Sequence, residues 1–332
     1  MDTSGFFRTL NTLSAKRVPF LFFIDFELKK PQVFPLHEID PDVVLYHFGN
    51  KGNFFHEQIK PHLDEVYMVR HPVHFEQYCS AFHKLKYHLL HGNSFLVNLT
   101  WKTPVQLPVS LRDCFMIAAA PYKLWYADQF VVFSPEPFVR ISGNRISSFP
   151  MKGTIDATRP QAAETILSDE KEMAEHVTIV DLIRNDISQV ARQVRVQRFR
   201  YVEAIQAGHK KLLQVSSEIT GVLPENWQEQ VGDILVALLP AGSVSGAPKA
   251  RTVEIIREIE GEDRGYYSGV MGLFDGYSLD SAVMIRFIEK KDDQFFYRSG
   301  GGITARSNAR NEYEEMLEKI YLPCSQELRH GH

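Results

Sequence analysis

The chain predicts a protein of mixed strands and helices, and three observations carry that expectation. Apolar runs of strand length recur at 20–26, 43–48, 95–100, 124–126, 130–133, 138–141 and 145–149. Ser142-Gly143-Asn144 separates the last two and is a hairpin signal, since small and turn-forming residues there let consecutive strands fold back on one another. Helical spacing of apolar residues appears at 74–87 and 311–321, and a capped start with carboxylates three apart marks a helix at 168–176.

Residues 1–75 mix short strands (20–26, 43–48, 65–69) with Pro-containing loops and carry no chemical motif, which reads as a leader contributing strands to the sheets. No repeat or low-complexity linker interrupts the remainder, so 76–325 reads as one catalytic domain. In the helix beginning near Ser168, Ser or Asp is the cap and Glu172 and Glu175 share a face. In the last helix Tyr313, Met316, Leu317, Ile320 and Tyr321 form the expected buried stripe, with Glu312 and Glu315 on its flank.

Composition excludes several classes. The 332 residues are 44% hydrophobic and 23% charged, the balance of a soluble globular protein. The longest apolar runs, Val18–Phe23 and Phe115–Pro121, are far short of a membrane span. The opening Met-Asp-Thr-Ser-Gly-Phe-Phe-Arg lacks the basic region and apolar stretch of a signal peptide, so a cytoplasmic location is expected. A net charge of −4 with neither sign segregated argues against a nucleic-acid partner. Cys79, Cys114 and Cys324 are odd in number and widely spaced, as reduced thiols would be. His83, His88 and His91, and His56-Glu57, lack the HExxH pattern and read as solvated.

Five features bear on chemistry. Lys152 ends an apolar strand between Pro150 and Gly153 and is either an ordinary turn lysine or an amine nucleophile. The two Glu pairs have the spacing to share one hard cation such as Mg²⁺, or simply decorate solvated helix faces. Ser299-Gly300-Gly301-Gly302 follows an apolar strand and suggests a turned backbone offering amides to an anion. A second such loop, Ala241–Lys249, precedes a helix and is not a P-loop, because its spacing fails. Arg286 interrupts the apolar strand 282–287, where a guanidinium wants an acidic partner, from a ligand or from the protein itself.

Taken in order, Ser134-Pro135-Glu136, Pro150-Met151-Lys152-Gly153-Thr154, Lys171–His176, Val180–Asp186, Pro240–Lys249, Tyr267–Gly272, Ile285-Arg286, Gly300–Ile303 and Glu312–Glu315 resemble the chorismate-utilising enzymes over residues 76–323. That family comprises anthranilate synthase component I, aminodeoxychorismate synthase component I, isochorismate synthase and salicylate synthase. The resemblance implies an α+β fold of two stacked antiparallel sheets wrapped by helices, with chorismate and Mg²⁺ bound between the layers. It puts Glu172, Glu175, Glu312 and Glu315 at the metal positions. It puts Thr154, Ser243, Tyr267, Arg286, Gly300, Gly301, Gly302 and Lys319 at the substrate.

Within the family the chain is most similar to a short form of aminodeoxychorismate synthase component I. Those enzymes resemble it in having a lysine at position 152, where anthranilate and isochorismate synthases usually carry alanine. Water-using members need a lysine base at the position of Leu96, and leucine accepts no proton. The resemblance therefore implies covalent catalysis by Lys152, with Glu136 as acid, leading to 4-amino-4-deoxychorismate for 4-aminobenzoate and folate synthesis. Two departures stand out: Gln214 where the family often has His, and Leu96 where amine-using members often have Gln. No glutaminase or lyase motif is present, so the expected partners are a separate glutamine amidotransferase subunit supplying ammonia and a downstream aminodeoxychorismate lyase. Anthranilate synthase component I and a non-catalytic chorismate-binding subunit are the alternatives.

Overall fold

The computed structural model describes residues 2–54, 68–207 and 210–323. Along the chain, α1 (Thr3–Ala15) precedes β1 (Phe20–Ile24), β2 (Gln32–Pro35), β3 (Val44–Phe48), β4 (Lys51–Gly52) and β5 (Val69–Arg70). Then come α2 (Phe75–Leu90), β6 (Leu96–Gln106), α3 (Leu111–Ile117), β7 (Tyr122–Tyr126), β8 (Phe130–Ser134), β9 (Pro137–Ser142), β10 (Arg145–Ser148) and β11 (Met151–Asp156). Next are α4 (Ala162–Ser168), α5 (Glu170–Ser188), β12 (Arg192–Ala207), β13 (Lys210–Val222), α6 (Val231–Leu238) and β14 (Gly246–Ala247). The chain closes with α7 (Lys249–Glu260), β15 (Val270–Phe274), β16 (Leu279–Val283), β17 (Phe287–Lys291), β18 (Gln294–Thr304) and α8 (Ala309–Glu318).

Most of the expected strands and helices are present, though the helix expected at 168–176 continues to Ser188 and the strand expected at 95–100 continues to Gln106, and β9 and β10 form the expected hairpin. Most of the strand expected over 65–69, with His56, Glu57 and Cys324, lies outside the described residues. Cys79 and Cys114 are free thiols. No described helix is long and apolar enough to cross a membrane.

The chain forms two compact units. The first comprises residues 1–37, 136–249 and 264–283, and its sheet runs β11-β13-β10-β9-β16-β15-β1-β2, with β12 beside β13. The second comprises 38–135, 250–263 and 284–332, and its sheet runs β6-β18-β17-β8-β7-β3-β4, with β5 beside β6. Every pairing within both is antiparallel. Residues 1–75 thus give β1 and β2 to the first sheet and β3, β4 and β5 to the second.

In the first unit β1 is buried along its whole length, which is why Phe-Leu-Phe-Phe-Ile shows no alternation. Phe20 stacks on Phe274 across the β1–β15 pair with ring centres 5.2 Å apart.

The second unit packs Leu45, Phe115, Trp125, Phe133, Ile288 and Tyr297 into one core. Within it Lys123 is only 3% exposed. Its Nζ donates to the carbonyls of Phe115 and Ala118, each at 2.9 Å, and lies 4.7 Å and 4.6 Å from the ring centres of Phe54 and Phe115. The amine therefore caps the C-terminal carbonyls of α3 from inside the core. Burial lowers its pKa to about 8.

From about pH 8 to 10.5 the unfolded chain holds a proton at Lys123 that the folded chain has released, so this residue adds stability as pH rises and loses it as pH falls. Lys123→Met should cost about 1–3 kcal/mol by leaving two buried carbonyls without their donor. In urea melts across that range, the wild-type advantage over the variant should widen with pH; a constant or shrinking gap would contradict a buried low-pKa amine.

Candidate active site

The first unit carries Lys152, Thr154, Glu136, Glu172, Glu175, Ser243 and Tyr267. Lys152 is not in a plain turn. It lies in β11, where the pairing with β13 shifts register between Met151 and Thr154, so Lys152 and Gly153 form a bulge. Gly153 has φ +81°, a conformation that L side chains resist, and a Cβ there would stand 3.1 Å from Glu172 Oε2. The bulge re-aims Lys152, whose Nζ is 2.7 Å from Glu175 Oε2. Thr154 is exposed and opposes Gln214 across the ladder.

Asp169 is the cap of α5, accepting from the Glu172 amide at 2.9 Å. Glu172 thus stands in the first turn, where the helix dipole favours negative charge, and Glu175 one turn on is buried. The neighbouring His176 is also buried and shares a hydrogen bond of 2.7 Å between Nε2 and Ser217 Oγ. Burial, then the charges of Arg200 and Lys152, lower its pKa to about 4, so the imidazole is neutral at pH 7. Arg200 is fixed by its own amide on Ser217 Oγ (2.9 Å) and by its guanidinium on the carbonyls of Leu167 and Ile166, closing the end of α4. Gln214 donates to Ser216 Oγ at 3.4 Å, and Ser216 donates to Glu203 at 2.5 Å.

Glu136 immediately precedes β9 and accepts from Ser243 Oγ at 2.5 Å. The two line a cavity of about 20 Å³ together with Phe138, Pro150, Asp186 and Gly242. The loop carrying Ser243 is pinned on both sides. Arg264 donates to the Val244 carbonyl at 2.7 Å, and Lys249 reaches Asp186 Oδ2 and the Leu238 carbonyl, both at 2.7 Å. Burial pushes Asp186 up and Lys249 down against their mutual attraction. Tyr267 is buried just before β15.

The second unit carries Arg286, Gly300, Gly301, Gly302, Glu312, Glu315 and Lys319. The glycines are not in a turn, as their run suggested. They lie inside β18, paired through to Thr304 with β6, with Gly300 opposite Thr100 and Gly302 opposite Asn98. Glycine is required there by close approach: a Cβ on Gly300 would stand 2.3 Å from the Leu99 carbonyl oxygen. Pairing of β18 with β17 ends at Arg298, so its other edge is not in that ladder along the glycines.

Arg286 also differs from expectation. It sits in the link between β16 and β17 with φ +55°, its carbonyl accepting from the Phe133 amide at 3.0 Å and its guanidinium 5.5 Å from the Tyr321 ring centre. The apolar run read as one strand is two, turned at this residue.

Asn308 caps α8, Met316 is buried on it, and so is Glu312, expected on the flank; Glu315 is half exposed. Lys319 Nζ bonds Glu315 Oε1 at 2.7 Å and the Gly300 carbonyl at 2.9 Å. A Cβ on Gly301 would stand 3.3 Å from Lys319 Nζ and 3.7 Å from both Glu312 Oε2 and Glu315 Oε1, so the missing side chain leaves a cradle lined by two carboxylates and an amine. Burial and both carboxylates raise the pKa of Tyr78 beside them. Leu96 is buried at the start of β6 opposite Thr304.

Carboxylate oxygens are hard donors, and Gly153 leaves room beside Glu172 as Gly301 does beside Glu312 and Glu315, so the residues fit Mg²⁺. Among the described residues no three His, Cys, Asp or Glu stand together as a metal cluster, so each unit presents a pair.

Residue patterns did not single out buried His176 and Asp186, or partly buried Lys249, as a polar set. Asp186 and Lys249 are 63 residues apart in sequence (249 − 186), and no local pattern joins them.

The sequence matches the family described as chorismate binding enzyme over residues 51–324, and the chain belongs to that family. It is 49% identical over 318 residues to a Haemophilus influenzae protein named Uncharacterized PabA-like protein, covering 96% of each chain. It is 39% identical over 213 residues to anthranilate synthase component 1 of Aquifex aeolicus, covering 60% of this chain and 42% of that one. It is 32% identical over 263 residues to aminodeoxychorismate synthase component 1 of Bacillus subtilis, covering 74% of this chain and 51% of that one. The chain spans about half the length of these last two relatives.

Among solved structures, anthranilate synthase component I of Streptococcus pneumoniae superposes with a TM-score of 0.65 at 28% identity, covering 77% of this chain and 58% of that one. The menaquinone-specific isochorismate synthase of Escherichia coli gives 0.71 at 16% identity over 95% of this chain and 80% of that one, which bears on fold alone. The family expectation holds, as do two antiparallel sheets accompanied by helices.

Asp186→Ala should cost about 1–3 kcal/mol in urea denaturation, since it leaves the partly buried Lys249 ammonium without its counter-charge. The double variant Asp186→Ala/Lys249→Met should cost less than the single one. An equal or larger loss would mean the pair does not act as a buried charge pair.

Proposed function

We propose that this protein is the chorismate-aminating component of an aminodeoxychorismate synthase, making 4-amino-4-deoxychorismate from chorismate and ammonia. One observation carries the reading: the lysine that distinguishes such enzymes within the family stands on a bulge, with its amine 2.7 Å from a carboxylate at a metal position. The apolar Leu96, buried at the position of the water-activating base, points the same way.

In this reading Lys152 Nζ bonds to ring C2 as the double bond shifts and the C4–O bond breaks. Glu136 gives its proton to the departing oxygen, which leaves as water, and Ser243 holds the Glu136 carboxyl in place through their 2.5 Å bond. Ammonia then bonds to C4, the electrons return along the same path, and the bond to Lys152 breaks. Two easier substitutions replace one hard one. By the family resemblance the carboxylate pairs Glu172/Glu175 and Glu312/Glu315 would be ligands for Mg²⁺, which when bound would neutralise the C1 carboxylate and orient the ring. Arg286, Tyr267, Thr154, Lys319 and the backbone of Gly300, Gly301 and Gly302 would hold the rest of the substrate. Ammonia would come from a separate glutamine amidotransferase subunit, and an aminodeoxychorismate lyase would consume the product.

Anthranilate synthase activity is the second reading, favoured by the 39% identity to the Aquifex aeolicus enzyme against 32% to the Bacillus subtilis aminodeoxychorismate synthase.

Incubation with chorismate, Mg²⁺ and ammonium, followed by mass spectrometry with and without aminodeoxychorismate lyase, separates the two. Aminodeoxychorismate, converted by the lyase to 4-aminobenzoate, is the expected product; anthranilate would establish the second reading instead. Glu136→Gln should lower kcat about 10²–10⁴-fold. Lys152→Ala should abolish turnover while chorismate still binds, and near-normal turnover by that variant would sink the covalent route.

A further inference from the structure

Glu175 lies almost wholly out of water, and a buried carboxylate requires a positive charge against it. Lys152 supplies that charge at 2.7 Å, the distance of a charge-assisted hydrogen bond. Glu172 and Glu175 are also the pair whose spacing and hard oxygens fit a divalent cation. One carboxylate is therefore claimed twice.

We infer that Lys152 and the divalent cation compete for Glu175, so that metal entering the first unit's carboxylate pair expels the Lys152 amine from it. The inference rests on reading Glu172 and Glu175 as metal ligands, as the proposed function does. Two positive charges at one carboxylate repel, and in a site poor in water that repulsion is weakly screened.

The regular register of the ladder does not fix the position of Lys152. Lys152 and Gly153 form the bulge of β11, and the ladder partners on either side are Met151 with Ser216 and Thr154 with Gln214. Swinging Lys152 away breaks none of those pairings.

The second unit repeats the arrangement independently. Lys319 Nζ is 2.7 Å from Glu315 Oε1, and Gly301 stands beside the pair as Gly153 stands beside Glu172. In both units a lysine ammonium rests on the second carboxylate of the pair. For Lys152 the consequence is an order of events: the amine stays on Glu175 until the cation arrives, and only then is it presented to substrate.

The test is metal affinity, measured without substrate. Mn²⁺ binding followed by electron paramagnetic resonance, and Mg²⁺ binding by calorimetry, are compared for the full-length wild type, Lys152→Met, Lys152→Arg and Glu175→Gln. A carboxylate occupied about nine-tenths of the time by its own lysine binds metal about tenfold more weakly than one that is not. Lys152→Met should therefore bind Mn²⁺ about tenfold more tightly than wild type, Lys152→Arg should stay near wild type, and Glu175→Gln should bind more weakly. Unchanged or weaker binding by Lys152→Met, or no binding by any form, overturns the inference.

A measurement on the wild type alone covers the case in which Lys152→Met fails to fold. Reductive methylation mapped by mass spectrometry should label Lys152 faster with Mg²⁺ than without, and equal labelling counts against exchange. Neither readout needs chorismate or ammonia. A protein that makes no aminodeoxychorismate yet shows the Lys152→Met gain loses the proposed function and keeps this inference; one that makes it with unchanged metal affinity does the reverse.

Discussion

A carboxylate withdrawn from water must have a cation within contact distance, and the local architecture around Glu175 follows from that constraint. For Lys152 to reach Glu175, β11 has to depart from its ladder, and the departure needs a residue that accepts a positive φ, which is Gly153. With no side chain at 153, Glu172 can stand close against the strand. For both carboxylates to face that strand, α5 must begin where it does, at the Asp169 cap. A cap, a bulge, a glycine and an ion pair are thus one device, and none of the four has an obvious purpose alone.

The same unit holds Glu136 by a different logic. Its hydroxyl partner Ser243 is on a loop, and a loop positions a side chain well only when its backbone is tied down. Here the ties are charged and largely out of water: Arg264 on the Val244 carbonyl, and Lys249 between Asp186 and the Leu238 carbonyl. Asp186 belongs to the same helix as Glu172 and Glu175, about four turns beyond the first and three beyond the second, so one rigid element registers both the carboxylate pair and the Ser243 loop.

Much of this was legible in the sequence where the signal is local. Apolar runs marked the strands, Ser142-Gly143-Asn144 marked a real hairpin, and Asp169 capped its helix as a short polar side chain should. The misreadings share a cause. Glycine fits a turn, and it fits a strand whose neighbour comes too near for a Cβ; the run 300–302 is the second case, and only the position of Leu99 reveals it. Arg286 looked like a charge inside one strand because apolar residues flank it on both sides, whereas the backbone turns there. Lys123 gave no signal at all, since its partners are carbonyl oxygens at the end of a helix and the faces of two rings. Partners distant in sequence, such as Asp186 and Lys249, are set by topology, which residue patterns do not encode.

The glycine segment of β18 also restricts how such a protein can diverge. At Gly300 any larger residue collides with backbone, which cannot step aside as a side chain can, so that position is closed to point mutation. The strand opposite has no such prohibition. Leu96 and Asn98 of β6 face Thr304 and Gly302 in the ladder, and each already bears a side chain. Drift, selection or an engineer seeking a new chemistry beside β18 has its alphabet on β6, while the glycines serve as the fixed page on which those letters are written.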